Sequence, residues 1–306
     1  MTGGAGFIGS HVVDALLADG YGVSVIDDLS SGDAGRVADE AELVELDVVD
    51  FSALRAVVEE VRPRAIFHLA AQASVVVSVE DPGRDCEVNV KGTLNVVRAA
   101  EACGAPVVFT STGGALYGDE APMPTREDRI PAPLSPYGAS KWAGEAYVKT
   151  WSLSSGIPHA VCRLGNVYGP RQSPHGEAGV VAIFAHKLYT GERPKLYGHG
   201  TPTRDYVYVG DVVSALLRAS GRSGTYNIAT GVETDVASVW RELSSAAGTG
   251  KQIEPELADL RPGELTHSCL DINRAERELG WRAEVGIEEG LRRTYEALVE
   301  EFERAE

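Results

Sequence analysis

No stretch of this chain stays apolar over the length that a bilayer-spanning helix needs, so we expect no membrane-embedded segment. The first residues lack a basic segment followed by an apolar one, so we expect no secretion signal. Cysteine is scarce: Cys86, Cys103, Cys162 and Cys269 are widely separated and form no Cys-x-x-Cys pair. We therefore expect free packing thiols and a cytoplasmic protein.

Positive charge is also in short supply. The chain carries 28 lysines and arginines against 45 acidic residues, a formal net charge of −17. A surface of this sign repels nucleic-acid backbones and anionic lipids, so we expect neither as a partner. The histidines show neither His-x-x-x-His nor His-Glu-x-x-His spacing, and we predict no metal site.

The first half of the chain alternates short β-rich runs with amphipathic helical segments. The runs are residues 22–26, 43–46, 65–69, 106–110 and 159–164. This alternation predicts βαβ units, and hence an α/β fold with a Rossmann-type doubly wound parallel sheet. The alternation of β-rich runs and helical segments becomes less regular after residue 162. We therefore predict one domain over residues 1–162 and a smaller α/β domain over 163–306, with some segments returning to the first.

A glycine-rich loop opens the chain. Gly3, Gly6 and Gly9 bring the backbone close to a pyrophosphate, and a helix predicted from Ser10 points its positive end at the same anion. Asp27 ends the next β-rich run, where a carboxylate accepts hydrogen bonds from the adenosine ribose. A carboxylate there repels a 2′-phosphate, so the pattern favours NAD over NADP.

The strand that should lead into this loop is nearly missing, since only Met1 and Thr2 precede it. A dinucleotide-binding loop follows a strand that is central in the doubly wound sheet. We therefore expect the natural protein to have several further strand residues before Met1.

A second motif follows near the middle of the chain. Tyr137 and Lys141 are four residues apart after Pro136, which favours a helix start, so they share one helix face. A free phenol titrates near pH ~10. A neighbouring ammonium favours the phenolate, so we expect Lys141 to lower the pKa of Tyr137 toward the working range of a general base. Lys141 can also donate to the nicotinamide ribose.

Ordered sequence blocks along the whole chain resemble the extended short-chain dehydrogenase/reductase family, and within it the branch that is similar to UDP-glucose 4-epimerases. The blocks are TGGAGFIGSH (2–11), DDLSSG (27–32), LDV (46–48), HLAAQ (68–72), NVKGT (89–93), STGGALYG (111–118), SPYGASK (135–141), RLGNVYGPR (163–171), TRDYVYVGDV (203–212) and RPGE (261–264).

The resemblance implies an NAD-binding first domain and a nucleotide-sugar-binding second domain. The implied cofactor contacts are Gly3, Gly6, Phe7, Ile8, Gly9, Asp27, Asp28, Ser31, Gly32, Asp47, Val48, Leu69, Ala70, Ala71, Asn89, Tyr137 and Lys141. The implied substrate contacts are Asn166, Val180, Arg204, Arg261 and Ser268. In the implied reaction, Tyr137 takes the proton of the sugar 4-hydroxyl while C4 gives hydride to NAD⁺; the 4-keto sugar turns, and hydride returns to the opposite face.

One block departs from the family pattern. Gly113 stands where most such epimerases carry a serine or threonine that polarises the 4-hydroxyl. Thr112, Ser111 or a bound water are the alternatives for this role. The block also lacks the Asp-Glu pair of the 4,6-dehydratases and the Ser-Glu of the UDP-glucuronate decarboxylases, which argues against both reactions.

Several functions stay open at this point. The leading one is an NAD-dependent 4-epimerase of a UDP-glucose/UDP-galactose type sugar. One alternative is a 4-epimerase of UDP-glucuronate or of a UDP-N-acetylhexosamine, and the small side chain of Ser268 would leave room for the N-acetyl group. Two others are a 4-keto-sugar reductase and a non-catalytic NAD-binding regulator. The family also implies a homodimer in which helices near residues 88–103 and 137–151 of each subunit form a bundle.

Overall fold

A computed structural model describes residues 1–175, 179–248, 253–260 and 265–305. Its helices are α1 (Phe7–Ala18), α2 (Phe51–Val61), α3 (Val75–Glu80), α4 (Pro82–Cys86), α5 (Thr93–Cys103), α6 (Pro136–Ser155), α7 (Val180–Thr190), α8 (Val209–Ala219), α9 (Val236–Ala247), α10 (Asn273–Leu279) and α11 (Ile287–Ala305). Its strands are β1 (Ser24–Asp27), β2 (Glu42–Glu45), β3 (Ile66–His68), β4 (Val107–Thr112), β5 (Ala160–Leu164), β6 (Asn166–Tyr168), β7 (Lys195–Tyr197), β8 (Thr203–Tyr208), β9 (Gly224–Ile228), β10 (Glu233–Asp235) and β11 (Glu256–Ala258).

Two groups of parallel strands form the main sheet, and Thr2 joins them. One group is β1 with β2, and the other has the order β3-β4-β5-β9. Thr2 forms parallel bridges to Ile26 of β1 and His68 of β3. Its N–H donates to the Phe67 carbonyl at 3.0 Å, and its own carbonyl accepts from Leu69 at 3.0 Å. The order is therefore β2-β1-Thr2-β3-β4-β5-β9, and the predicted doubly wound parallel fold is confirmed.

The sheet buries a hydrophobic cluster on each face, because successive side chains of a strand point to opposite sides. On β4, Val108 packs with α1 and α8 through Val12 and Leu216. Its neighbour Phe109 packs on the other face with α2 and α5 through Leu54, among others. Both faces of the sheet are thus covered by helices, which explains why its strands are almost continuously apolar.

The second half of the chain builds smaller sheets and a third core. Strand β8 pairs with β6 and β10, and β7 pairs with β11. Helices α7, α9 and α11 meet around Phe184, Trp240 and Leu291. The predicted boundary after residue 162 lies inside β5, and β9 pairs with β5 in the first sheet. The division into two domains therefore stays a prediction.

Two predicted helices differ from those observed. Helix α1 begins at Phe7 rather than Ser10, since the glycine loop turns directly into it. The segment predicted as one helix over residues 88–103 divides into a π-helical turn, Glu87–Gly92, and α5. The Thr93 hydroxyl donates to the Asn89 carbonyl at 2.6 Å within this turn. No helix in the described ranges is long and apolar enough to cross a membrane.

Candidate active site

The glycine loop lies pressed between β1, β3 and the start of α1. Gly3 has a φ of +73°, and a Cβ atom there would lie 2.4 Å from the backbone nitrogen of Ala70. A Cβ on Gly9 would lie 1.9 Å from the Gly3 carbonyl oxygen. The first-turn N–H groups of α1, those of Phe7, Ile8 and Gly9, have no partner within the helix. This arrangement, here called the cradle, is one that can hold a phosphate anion, and the predicted pyrophosphate contact stays a prediction.

Asp27 ties the end of β1 to this loop. Its side chain is buried, with 7% of the residue exposed. One carboxylate oxygen accepts from the Ala5 N–H at 2.9 Å and the other from the Leu29 N–H at 3.0 Å. The predicted ribose-binding carboxylate therefore also holds the backbone around the phosphate cradle. The predicted neighbours Asp28, Ser31 and Gly32 follow in the same loop, and a Cβ on Gly32 would lie 2.8 Å from Asp27 Oδ1.

An arginine that the sequence did not single out lies between two predicted cofactor-binding acids. Arg84 Nη2 is 3.0 Å from Asp47 Oδ2 and 3.7 Å from Asp28 Oδ2. Val48, beside Asp47, is buried in the core behind them. Arg84 lies in none of the sequence motifs, so the sequence analysis had no signal for this contact.

The loop after β3 reaches the cradle through Thr2, whose carbonyl accepts from Leu69 and Ala70. Ala71 continues this loop toward Asn89. The Asn89 side chain is committed to protein groups: its amide nitrogen lies 2.9 Å from the Gln72 carbonyl. Asn89 thus holds the loop after β3 in place, and its predicted nearness to the cofactor stays a prediction.

Lys141 is buried beneath the site, with 3% of the residue exposed. Helix α6 places it there by starting at Pro136, where the Ser135 side chain accepts from the Gly138 N–H. The Lys141 ammonium donates to the Thr110 carbonyl at 3.0 Å and lies 5.0 Å from the centre of the Phe109 ring. Burial lowers the pKa of Lys141 to about 8, against the opposing charges of Asp85 and Glu145.

The pKa of Tyr137 in the protein alone differs from the expected one. Burial raises the pKa of this phenol to about 12; the charge of Asp85 raises it further, and a hydrogen bond with Thr112 lowers it. The sequence predicted a lowered pKa through Lys141. That ammonium instead binds the Thr110 carbonyl, and removal of the phenol from water dominates.

The two candidate hydroxyls point to different partners. Thr112 shares a hydrogen bond with Tyr137, and its oxygen accepts from the Ala115 N–H at 3.1 Å. Ser111 instead donates to Glu145 Oε1 at 2.7 Å. Successive strand residues face opposite ways, so at the end of β4 Thr112 faces Tyr137 and Ser111 faces Glu145. Ser111, one of the predicted catalytic residues, is therefore reassigned to the buried side.

Gly113 leaves no vacant space for the missing hydroxyl. A Cβ there would lie 2.3 Å from Leu270 Cδ1 and 3.2 Å from the Leu164 carbonyl. Leu270 is fully buried against Leu116 and Tyr117. A serine at position 113 would require Leu270 to move. The glycine at 113 is thus what allows Leu270 to occupy this position.

A buried ion pair behind the site was missed by the sequence analysis. Glu145 and Arg163 are joined by two hydrogen bonds of 2.8 and 2.7 Å, and Arg163 also donates to Tyr117 Oη at 2.6 Å. Burial alone would raise the pKa of Glu145, but Arg163, Lys149 and Ser111 hold it below its ordinary value. An arginine inside the apolar run of β5 was the available signal.

The predicted substrate contacts are only partly brought together. Asn166 lies over Gly114, with its Oδ1 3.2 Å from where a Cβ would stand. Ser268 lines a small cleft whose other walls include Gly113, Gly114, Met123 and Leu270. Val180 is the first residue of α7, and Arg204 lies on β8, where its guanidinium donates to the Thr203 carbonyl at 2.8 Å. Arg261 lies outside the described residues.

Three comparisons show which known proteins the chain is similar to. A model of the NAD dependent epimerase/dehydratase family matches residues 1–229. A UDP-glucose 4-epimerase of Mycolicibacterium smegmatis is 46% identical over 97% of this chain and 96% of its own length. A Thermotoga maritima UDP-glucose 4-epimerase solved with UDP-glucose superposes with a TM-score of 0.95 at 43% identity, covering 98% of both chains. A Thermus thermophilus UDP-glucose 4-epimerase solved with NAD gives 0.89 at 45%, covering 97% of both.

We expect Glu145→Gln to lower the free energy of unfolding at pH 7 by about 3–5 kcal/mol, because the Arg163 guanidinium stays buried without its carboxylate. Urea denaturation measures this. The folded pKa of Glu145 is depressed, so its contribution is present above the unfolded pKa of about 4.3 and is lost as pH falls through the folded pKa. The variant should lose this part of the acid dependence.

The control for this change is Lys149→Gln, which removes an exposed partner of the same carboxylate, 3.3 Å away. We expect a change of at most about 1 kcal/mol there. Equal stability of Glu145→Gln and the unmodified protein would contradict the importance of the pair.

Proposed function

The chain belongs to the NAD-dependent epimerase/dehydratase family, and we propose that within it the protein is a UDP-glucose 4-epimerase. The observation that carries this proposal is the hydrogen-bonded pair of Tyr137 and Thr112 above the buried Lys141 ammonium, at the end of the strand beside the dinucleotide cradle. The relatives and solved structures at 43–46% identity bear the same activity in their names. An isomerase that binds NAD and a UDP-sugar fits these parts.

The residues of the cradle fit NAD. Gly3 and Gly9 let the loop fold this tightly, because a Cβ on either would collide with the backbone of Ala70 or Gly3. Asp27 is placed at the end of β1 for a ribose. When bound, NAD supplies reversible acceptance of hydride from the sugar C4. The chain supplies the proton transfer and the positioning.

Tyr137 moves the proton of the sugar 4-hydroxyl through its Oη atom. The Thr112 oxygen accepts a hydrogen bond from the Ala115 N–H. Its own hydroxyl hydrogen is therefore available to donate to the Tyr137 oxygen and to stabilise the phenolate. Lys141 holds a positive charge nearby. With a pKa of about 12 in the protein alone, Tyr137 is almost entirely protonated at neutral pH, so little phenolate is present to act as the base. A positive charge held beside the phenol, as on a bound oxidised nicotinamide, would lower this pKa and raise the fraction of phenolate.

Epimerisation further requires that the 4-keto sugar turn while its nucleotide stays bound. We assign the nucleotide grip to Asn166, Val180, Arg204 and Arg261, with guanidinium groups meeting the diphosphate. Around the sugar, Gly113 and Gly114 leave backbone rather than side chains on one wall of the cleft. This combination of a firm anchor and a smooth wall favours turnover at C4.

A UDP-N-acetylhexosamine is the second candidate substrate. Ser268 is half-buried on the same cleft, and its short side chain leaves room beside the sugar. A 4-keto-sugar reductase is less well supported, because the relatives at 43–46% identity are named epimerases.

A turnover panel tests the proposal. We expect interconversion of UDP-glucose and UDP-galactose, measured by separating the products, with UDP-N-acetylhexosamines and UDP-glucuronate tested beside them. Denaturing the purified protein should release NAD(H), because an epimerase retains its cofactor between turnovers. Tyr137→Phe should abolish turnover and keep the cofactor. Undiminished turnover in that variant would sink the mechanism, and a requirement for added NAD(P)H would favour the reductase.

Thr112→Val removes the hydroxyl and preserves the branched shape. We expect kcat to fall about 10- to 150-fold, as for loss of a hydrogen bond of about 1.5–3 kcal/mol to a charged oxygen. Steady-state kinetics on UDP-galactose measures this. Ser111→Ala is the comparison variant, since its hydroxyl donates to Glu145; we expect a smaller effect on kcat there. A reversed order would return the catalytic role to Ser111, and full turnover in Thr112→Val would assign it to water.

We also propose that the protein works in the cytoplasm as a homodimer built on α5 and α6. In support, α6 exposes 40% of Trp142 and 37% of Tyr147 on its outer face. Apolar aromatic groups of this kind concentrate at subunit interfaces. We expect light scattering to give a dimer mass and Trp142→Glu to weaken association more than tenfold. Ile130→Glu changes an exposed loop residue and serves as the control. A monomer mass for the unmodified protein would refute the proposal.

A further inference from the structure

We propose that buried Asp85, which lies outside the Tyr137, Lys141 and Thr112 set, is an electrostatic positioning residue of this site; its role in turnover rests on the proposed function. Asp85 lies on α4 with only 1% of the residue exposed. Buried carboxylates are uncommon unless they are paired or serve the chemistry of a site. The reaction as described so far makes no use of it.

A chain of hydrogen bonds leads from Asp85 to the catalytic helix. Its Oδ1 atom accepts from Gln72 Nε2 at 2.9 Å and from Asn89 Nδ2 at 3.0 Å. Asn89 Nδ2 also lies 3.1 Å from Ser140 Oγ, which donates to the Tyr137 carbonyl at 3.0 Å. The carboxylate thus fixes the π-helical turn, the loop after β3 and the first turn of α6 relative to one another.

The charge of Asp85 is not balanced in the way that Glu145 is. Glu145 accepts two hydrogen bonds from Arg163 and lies 3.3 Å from Lys149. The two described hydrogen bonds of Asp85 come from neutral amides. A carboxylate bonded to neutral amides leaves a negative field on its surroundings. Helix α6 packs against α4 and carries Lys141 as a buried cation.

Other groups around Tyr137 and Lys141 leave Asp85 as the main source of this field. From β3, His68 is neutral, because burial and the Lys141 charge lower its pKa to about 3. From β4 come the Phe109 ring, the Thr110 carbonyl and the Thr112 hydroxyl. From α6, Glu145 also favours the protonated form of Lys141, though less than Asp85 does, and it is paired with Arg163. Asp85 acts in the same direction on both members of the pair: it favours the protonated forms of Lys141 and of Tyr137.

This arrangement serves a reaction that runs in two directions. Burial tends to deprotonate Lys141, and a neutral amine would remove the positive charge from the site. Asp85 opposes that loss and keeps the ammonium present at working pH. The same field raises the proton affinity of Tyr137, so the phenol also acts as the acid that returns the proton at the end of the cycle.

Asp85→Asn tests this role, because it removes the charge and keeps an oxygen that can accept from Gln72 and Asn89. The pH dependence of kcat is measured for the NAD-loaded protein with UDP-galactose. Loss of a negative charge lowers the pKa of both Tyr137 and Lys141. The acid limb, which reports ionisation of Tyr137, and the alkaline limb, which reports loss of the Lys141 proton, should therefore both move to lower pH. We expect shifts of about one pH unit. Asp85→Ser is a second neutral variant and should shift in the same way. Glu80→Gln removes an exposed carboxylate nearby and should leave the profile in place.

Superimposable profiles for Asp85→Asn and the unmodified protein would overturn the proposal, as would a fall in kcat at every pH with both limbs unmoved, which is what a purely structural role gives. A shift to higher pH would overturn it too. A second readout needs no turnover: near-ultraviolet titration of the phenolate, taken as the difference from Tyr137→Phe, should show Tyr137 ionising at lower pH in Asp85→Asn. If UDP-sugars are not turned over, the proposed function fails, and this titration alone decides the part played by Asp85.

Discussion

Helix α6 carries an ammonium and a carboxylate into the interior, and the rest of the site depends on how these charges are compensated. Lys141 and Glu145 are four residues apart and both are almost completely buried. Burying a charge costs several kcal/mol unless hydrogen bonds and an opposite charge offset it. Glu145 obtains both from Arg163 on β5, and Lys141 obtains a carbonyl from β4. These contacts fix the rotation of α6, and with it the position of Tyr137.

The second constraint is the narrow link between the two groups of strands. Thr2 bridges β1 and β3 through its backbone, and its hydroxyl meets His68 Nδ1 at 2.7 Å. The other ring nitrogen of His68 meets Thr93 Oγ1 at 3.0 Å, so one neutral imidazole joins the link to α5. The glycine loop that follows Thr2 is held in this way at the edge where the cofactor cradle forms. Its position relative to Tyr137 thus depends on a few specific hydrogen bonds as well as on the hydrophobic core.

Local patterns predicted the parts of the site that are contiguous in sequence. The glycine spacing, the acid after β1 and the Tyr137–Lys141 interval each state a local geometry, and the βαβ alternation states the sheet. The missed parts are contacts between distant segments: Glu145 with Arg163 is separated by 18 residues, and Gly113 with Leu270 by far more. In the protein alone the pKa of Tyr137 is raised and not lowered as the spacing predicted, because the spacing shows the cation and not how far the phenol is removed from water.

The contact between Gly113 and Leu270 also bears on where a hydroxyl beside Tyr137 can lie. Strand geometry presents Ser111 and Thr112 to opposite sides, so only one of them can reach Tyr137. The interior side already needs a donor for Glu145, and Ser111 supplies it. The site side then retains Thr112, and Leu270 closes the space beyond it that a side chain at position 113 would occupy. The hydroxyl at position 112 and the leucine at position 270 thus form one arrangement, in which Thr112 contacts Tyr137 and Leu270 occupies the space that a side chain at position 113 would need.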